Sequence, residues 1–163
     1  MPAIREAAYA AVLPGLTFCL GLRCDGDAIT EIVYLEPRAE LKPTALLARE
    51  AVRQLRAYLK DPRFAFSLPL APAGTPFQRR VWQGIAAIES GATRTYGELA
   101  ASVGSGARAV GNACGANPYP LVVPCHRVIA ANHGLGGFAR QRGGFLLDVK
   151  RWLLAHEANT RGR

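Results

Sequence analysis

The chain is short of acidic residues, of cysteine and of methionine, and each shortage excludes something. Twelve Asp and Glu stand against twenty Lys and Arg, a net charge of +8. That balance excludes an acidic, self-solvating chain and favours a polyanionic partner such as nucleic acid. The four cysteines, Cys19, Cys24, Cys114 and Cys125, form no C-x-x-C pair, which removes the tight dithiol motif and the paired-cysteine zinc site. With 163 residues, half of them hydrophobic, the chain buries enough core to do without disulfide staples, so a reducing cytoplasm is the expected setting. No apolar run is long enough to cross a bilayer, and no membrane association is expected. Residues Ala7 to Leu22 follow Arg5 without a charge, superficially like the apolar region of a signal peptide. Glu6, Pro14 and Gly15 interrupt that pattern, and the segment runs on into strand-like sequence, so it reads as structure. Internal repeats and low-complexity tracts are absent as well.

What is present reads as an α/β (α+β) protein in two parts. In residues 1–74 a β-hairpin is expected from about Leu16 to Leu35, turning at D-G-D. A helix follows from about Pro43 to Leu59, with Leu47, Ala51, Leu55 and Tyr58 on one face. The stretch SLPLAPAGTP, residues 67–76, is the expected linker. Residues 75–163 change character to consecutive helices. Thr75 and Pro76 suit a helix cap and first turn, and Phe77, Val81, Ile85 and Ile88 recur at helical spacing. Thr95 and Glu98 make a capping box for a short helix that ends near Gly104. ARAVGNACGAN, residues 107–117, continues as a third, and Leu146, Val149 and Leu153 mark the buried face of a last one.

Two short helices across a tight glycine turn read as helix-turn-helix, the second being the recognition helix. Apart from Arg108 that helix offers mostly small residues, Ala109 and Gly111 among them, and no set of long polar side chains for a major groove. A slim helix with one arginine suits a narrower groove. Equally, small residues let a helix pack tightly against its neighbours.

Cys125 poses the sharper question, because an isolated cysteine after an apolar run is most often a packed core thiol. Cys19, Cys24 and Cys114 take that reading. At Cys125 the next residues are His126 and Arg127, both of which lower a thiol pKa when close. Pro118, Pro120 and Pro124 stiffen the approach. A metal needs more ligands than Cys125 and His126 provide. A nucleophile needs a base and a group to orient it. Adjacent side chains of a strand point to opposite faces, so His126 reaches Cys125 only if the chain bends or a water bridges them. Glu157, at the end of the last helix, is either the orienting carboxylate or a solvated helix-end acid.

Taken together, NPYPLVVPCHRVI, TYGELA, ARAVG and KRWLLAHE resemble, in content and order, the O6-alkylguanine-DNA alkyltransferases, also called methylated-DNA-protein cysteine methyltransferases. The match covers about Thr75 to Glu157. The resemblance implies a small ribonuclease-H-like N-terminal domain and a winged helix-turn-helix domain, 75–163, that carries the reactive cysteine. It implies that Cys125 takes the alkyl group from O6 of a damaged guanine in double-stranded DNA, with His126 accepting the thiol proton through a water and Glu157 orienting His126. Tyr96 would protonate the departing base. Arg108 would enter through the minor groove and replace the flipped nucleotide. Thr95, Ala109, Gly111, Asn117 and Arg127 complete the implied DNA-contacting set, with Asn117 tying the recognition helix to the reactive turn and Arg140 and Arg142 as further phosphate contacts. The implied chemistry needs no cofactor. Thr30 stands where a zinc-binding relative has a histidine, so no structural metal is expected, and a monomer suffices for direct transfer.

Three other readings are distinguishable. A non-catalytic recogniser of alkylated DNA has another residue in place of Cys125; a helix-turn-helix regulator binds undamaged sequence; a cysteine hydrolase turns over without DNA.

Overall fold

The computed structural model describes residues 9–15, 17–131 and 144–161, the last three without side chains. It is a mixed α/β structure that divides into two compact units, Met1–Pro72 and Ala73–Arg163.

In the first unit, strands β1 (Ala11–Pro14), β2 (Cys19–Asp25) and β3 (Ala28–Leu35) form one antiparallel sheet in that order. The expected hairpin is β2–β3, with Leu20 opposite Tyr34 and Leu22 opposite Ile32. Its turn passes through Gly26 at φ 59, a conformation that favours glycine. β1 is a strand the sequence did not announce, since Pro14 and Gly15 break the apolar run just after it. Its backbone pairs with β2 and, at Val12, with Leu41 on the other side. Helix α1 (Leu46–Lys60) buries Ala48, Ala51, Val52, Leu55 and Tyr58. It begins at Leu46 rather than Pro43, and its inner face is centred on Ala48 rather than the half-buried Leu47. Buried Gln54 holds the returning chain: its Oε1 accepts from Ser67 N at 2.9 Å and its Nε2 donates to Ser67 Oγ at 3.2 Å.

In the second unit, α2 (Pro76–Ala86) starts at a complete capping box. Thr75 Oγ1 accepts from Gln78 N at 3.1 Å, while Gln78 Oε1 accepts from Thr75 N at 2.9 Å. Thr95 and Glu98 repeat the device at the start of α3 (Tyr96–Val103), which stops at Gly104, φ 69. The turn Gly104–Ser105–Gly106 leads into α4 (Ala107–Gly115). Val81, Ile85, Leu99, Val110, Val128 and Leu153 are each buried to within a per cent of complete. Gly84 lets α2 and α3 come together: a Cβ there would stand 2.9 Å from Leu99 Cδ1. Trp82 Nε1 donates to Ala113 O at 2.8 Å, joining α2 to α4.

The two-residue strands β4 (Arg94–Thr95) and β5 (Val128–Ile129) pair in parallel. They bring the start of α3 beside the chain that leaves Cys125. Helix α5 (Phe145–Arg161) closes the unit.

Candidate active site

The segment expected to be extended bends at the reactive residue. Val123 N donates to Tyr119 O at 2.8 Å, closing a turn over Leu121, whose φ of 75 is unusual for a side chain branched at Cγ. Cys125–Arg127 then form one turn of 3-10 helix, with Cys125 N bonded to Val123 O and Arg127 N to Pro124 O. In a 3-10 turn successive side chains fan out rather than alternate. Cys125, His126 and Arg127 therefore meet different partners, and all three are buried.

Cys125 faces the end of α4. Asn117 Nδ2 donates to its Sγ at 3.2 Å and to Val123 O at 2.9 Å, while Asn117 Oδ1 accepts from Tyr119 N at 2.9 Å. One amide thus links the end of α4 to the reactive turn. The second neighbour is Cys114, whose side chain hydrogen-bonds that of Cys125. This bond and then burial push the Cys125 thiol well above its ordinary pKa, while Asn117 and Lys150 act in the opposite sense. At rest Cys125 is a protonated thiol that needs a base.

His126 Nε2 lies 2.7 Å from Glu157 Oε2. Burial pulls the imidazole below its ordinary pKa, against the opposing pull of Glu157. A neutral ring that donates from Nε2 to the carboxylate keeps its lone pair on Nδ1. That atom is buried and without a protein hydrogen-bond partner among the described residues. Glu157 is only 1% exposed, so it is not the solvated helix-end acid.

Arg127 needs correction. Expected at the DNA, it is buried, with its guanidinium engaged inside the unit: Nε donates to Glu157 Oε1 and Nη2 to Glu157 Oε2, each at 2.9 Å, and Nη1 to Ile88 O at 2.6 Å. The 3-10 turn aims it inward, where it neutralises Glu157 and locks the carboxylate with a bidentate fork.

Lys150 went unnoticed in the sequence. It is wholly buried, donates from Nζ to Val128 O at 2.8 Å and stands 5.8 Å from the centroid of the Tyr96 ring. Burial lowers its pKa to about 8, against the pull of Cys114 and Cys125. The signal was available, since Lys150 lies on the stripe Leu146, Val149, Leu153 and Glu157 at helical spacing. Cys114, assigned to the core, is the other residue the sequence reading missed. Tyr96, the first residue of α3, is half-buried. Its phenol is raised by burial and by the two thiols beside it, which keeps it a proton donor.

The remaining expected residues lie along the helix pair. Arg108 is exposed in the first turn of α4, Ala109 and Gly111 are half-buried, and a Cβ on Gly111 would meet nothing within 4 Å. Arg108, Gly111, Asn112 and Gly115 share the outward face of α4, opposite buried Val110 and Ala113. Thr95 is half-buried, and its hydroxyl accepts from Glu98 N at 3.0 Å as the cap of α3. Arg140 and Arg142 lie outside the described residues.

Residues 76–159 match the family model for the 6-O-methylguanine DNA methyltransferase, DNA binding domain. The chain is 47% identical over 113 residues to the methylated-DNA–protein-cysteine methyltransferase of Methanosarcina acetivorans, covering 68% of this chain and 69% of that protein. It is 47% identical over 117 residues to the constitutive methylated-DNA–protein-cysteine methyltransferase of Bacillus subtilis, covering 69% and 70%. Among solved structures it resembles Mycobacterium tuberculosis OGT in complex with DNA, with a TM-score of 0.77 and 37% identity over 91% of each chain. The chain belongs to the methylated-DNA–protein-cysteine methyltransferase family.

Proposed function

We propose that this protein repairs alkylated DNA directly, moving the alkyl group of O6-alkylguanine in double-stranded DNA irreversibly to Cys125. The observation that carries the reading is the buried chain of groups behind the thiol. Glu157, fixed by Arg127, takes the Nε2 proton of His126 in a 2.7 Å contact and leaves a bare Nδ1 as base.

In the reaction the Cys125 proton passes through a water to His126 Nδ1, and the positive charge that forms there is stabilised by Glu157. The thiolate, supported by the Asn117 amide and the Lys150 ammonium, attacks the alkyl carbon. A C–S bond forms, the C–O bond breaks, and its electron pair leaves with the guanine. Tyr96 protonates the departing ring. The product is a thioether, which water does not cleave as it would a thioester. Each molecule therefore reacts once, as a stoichiometric reagent.

A base inside a duplex shields its O6 substituent, so the nucleotide must be extruded at a cost of about a few kcal/mol. Arg108 takes its place through the minor groove, and the bare face of α4 at Gly111 allows the close approach. Asn117 and Ala109 sit along the same approach, with Thr95 at the start of α3. The helix pair is read as a winged helix-turn-helix and the first unit, three strands and α1, as a ribonuclease-H-like companion without chemistry. The protein acts as a cytoplasmic monomer.

The test is intact mass after incubation with a duplex oligonucleotide holding one O6-methylguanine. One methyl per protein, mapped to Cys125 and absent from Cys125→Ser, is the expected result. Lesion binding with no mass change would make the protein a recognition module. Release of methyl over many turnovers would make it a hydrolase.

A further inference from the structure

The described residues hold a second thiol that the transfer reaction does not use. Cys114 sits in the last turn of α4, half-buried, and its side chain is in hydrogen-bond contact with Cys125. The contact is fixed at both ends. Asn117 N donates to Cys114 O at 3.2 Å, and the Asn117 side chain donates to Cys125 Sγ at the same distance. One residue thus ties both cysteine segments together. Buried Lys150 adds an electrostatic pull on both sulfurs. These features favour a shared thiolate, and a thiolate is the form that peroxides oxidise.

We infer that Cys114 is a resolving thiol, and that Cys114 and Cys125 form a modification site which a hydroperoxide converts into a reversible intramolecular disulfide. In the first step the Cys125 thiolate attacks the peroxide. The O–O bond breaks, the sulfur loses two electrons and becomes a sulfenic acid, and an alcohol or water departs. In the second step Cys114 sulfur attacks Cys125 sulfur. The S–S bond forms, the S–O bond breaks, and hydroxide leaves with the Cys114 proton as water. The sulfurs must close from hydrogen-bond contact to about 2 Å. The disulfide removes Cys125 from use while keeping it below sulfinic acid, from which thiols do not rescue it. The transfer reaction consumes the cysteine for good; oxidation at this pair does not.

The experiment exposes the whole protein to hydrogen peroxide and reads intact mass, a peptide map, and methyl transfer before and after dithiothreitol. In the wild-type protein we expect loss of two hydrogens, one cross-linked peptide joining Cys114 to Cys125, and full return of transfer on reduction. Cys114→Ser and Cys114→Ala should instead gain oxygen on Cys125 and recover no transfer relative to their own untreated samples. A wild-type protein that gains oxygen on Cys125, or links it to Cys24 or to another molecule, overturns the inference without using any variant. The mass readout does not depend on repair. A disulfide in a protein that transfers no methyl would leave this inference standing and remove the proposed function, and the converse result would do the opposite.

Discussion

Replacing Glu157 by glutamine keeps the shape of the side chain and removes its charge, and the hydrogen bonds around it determine the outcome. Glu157 accepts from three donors: His126 Nε2 and Arg127 Nη2 share Oε2, and Arg127 Nε takes Oε1. A glutamine has one acceptor oxygen. Placed where Oε2 was, it turns its NH2 against Arg127 Nε, donor against donor. In the reverse orientation the NH2 faces Arg127 Nη2 and forces His126 to accept at Nε2, which moves the ring proton to Nδ1 and blocks the base. Either way a guanidinium remains buried without its counter-charge, with only Ile88 O to satisfy it. Breaking such a pair costs about 3 kcal/mol. For a unit of this size that is a fall in melting temperature on the order of 15 °C. Both tryptophans, Trp82 and Trp152, lie in the second unit, so their fluorescence follows the unfolding of that unit. The single-turnover transfer rate should drop by about 10²-fold, the lower end of what a positioned general base supplies. A variant that melts within about 1 °C of wild type and transfers at the normal rate would refute the buried-relay reasoning, since a loss of about 0.2 kcal/mol is that of a surface position.

Further outcomes follow from the same geometry. Because burial lowers the pKa of His126, the unfolded chain binds a proton below about pH 6.5 that the folded protein resists. Stability is therefore lost as pH falls from about 6.5 toward the folded value, and the difference between wild type and His126→Gln in urea titrations at pH 5 and pH 7 isolates that loss. Lys150 behaves as the mirror case. Its lowered pKa means the buried charge disfavours the fold below about pH 8, and stability rises with pH between there and 10.5. Lys150→Met should accordingly leave stability at pH 7 unchanged or higher while slowing iodoacetamide alkylation of Cys125 by roughly tenfold, the equivalent of one pKa unit. Arg108→Ala should slow transfer from duplex DNA by about 10²-fold, the share of a flipping cost of a few kcal/mol that the side chain offsets. Transfer from a free O6-alkylguanine base should be untouched, and equal losses on both substrates would remove Arg108 from that role.

Local signals carried much of this structure. Thr75, Thr95 and Gly104 mark helix ends because capping and left-handed turns depend on neighbours a few residues away, and both capping boxes form. The strand β1 was hidden because its partners, β2 and Leu41, lie beyond the Pro14–Gly15 break. At the site, Cys125, His126 and Glu157 were legible by residue type, yet the direction of each side chain was not. Alternation along an extended strand was the wrong local geometry for Cys125–Arg127, and it sent Arg127 outward when the 3-10 turn sends it in. Lys150 and Cys114 stayed hidden for a different reason. Burial of a lysine, and contact between two cysteines separated by a turn, are set by tertiary packing rather than by anything adjacent in the chain.

The relay is assembled from two places far apart in the order of synthesis. His126 and Arg127 sit in a turn, and the carboxylate that gives both their purpose comes thirty residues later, near the end of α5. A ribosome thus delivers the nucleophile and its base well before the group that orients them. Until α5 has been made and docked, Cys125 belongs to a nascent chain with no fixed base behind it. The order of translation protects a residue that can be used only once, by withholding its reactivity until the surrounding structure is complete.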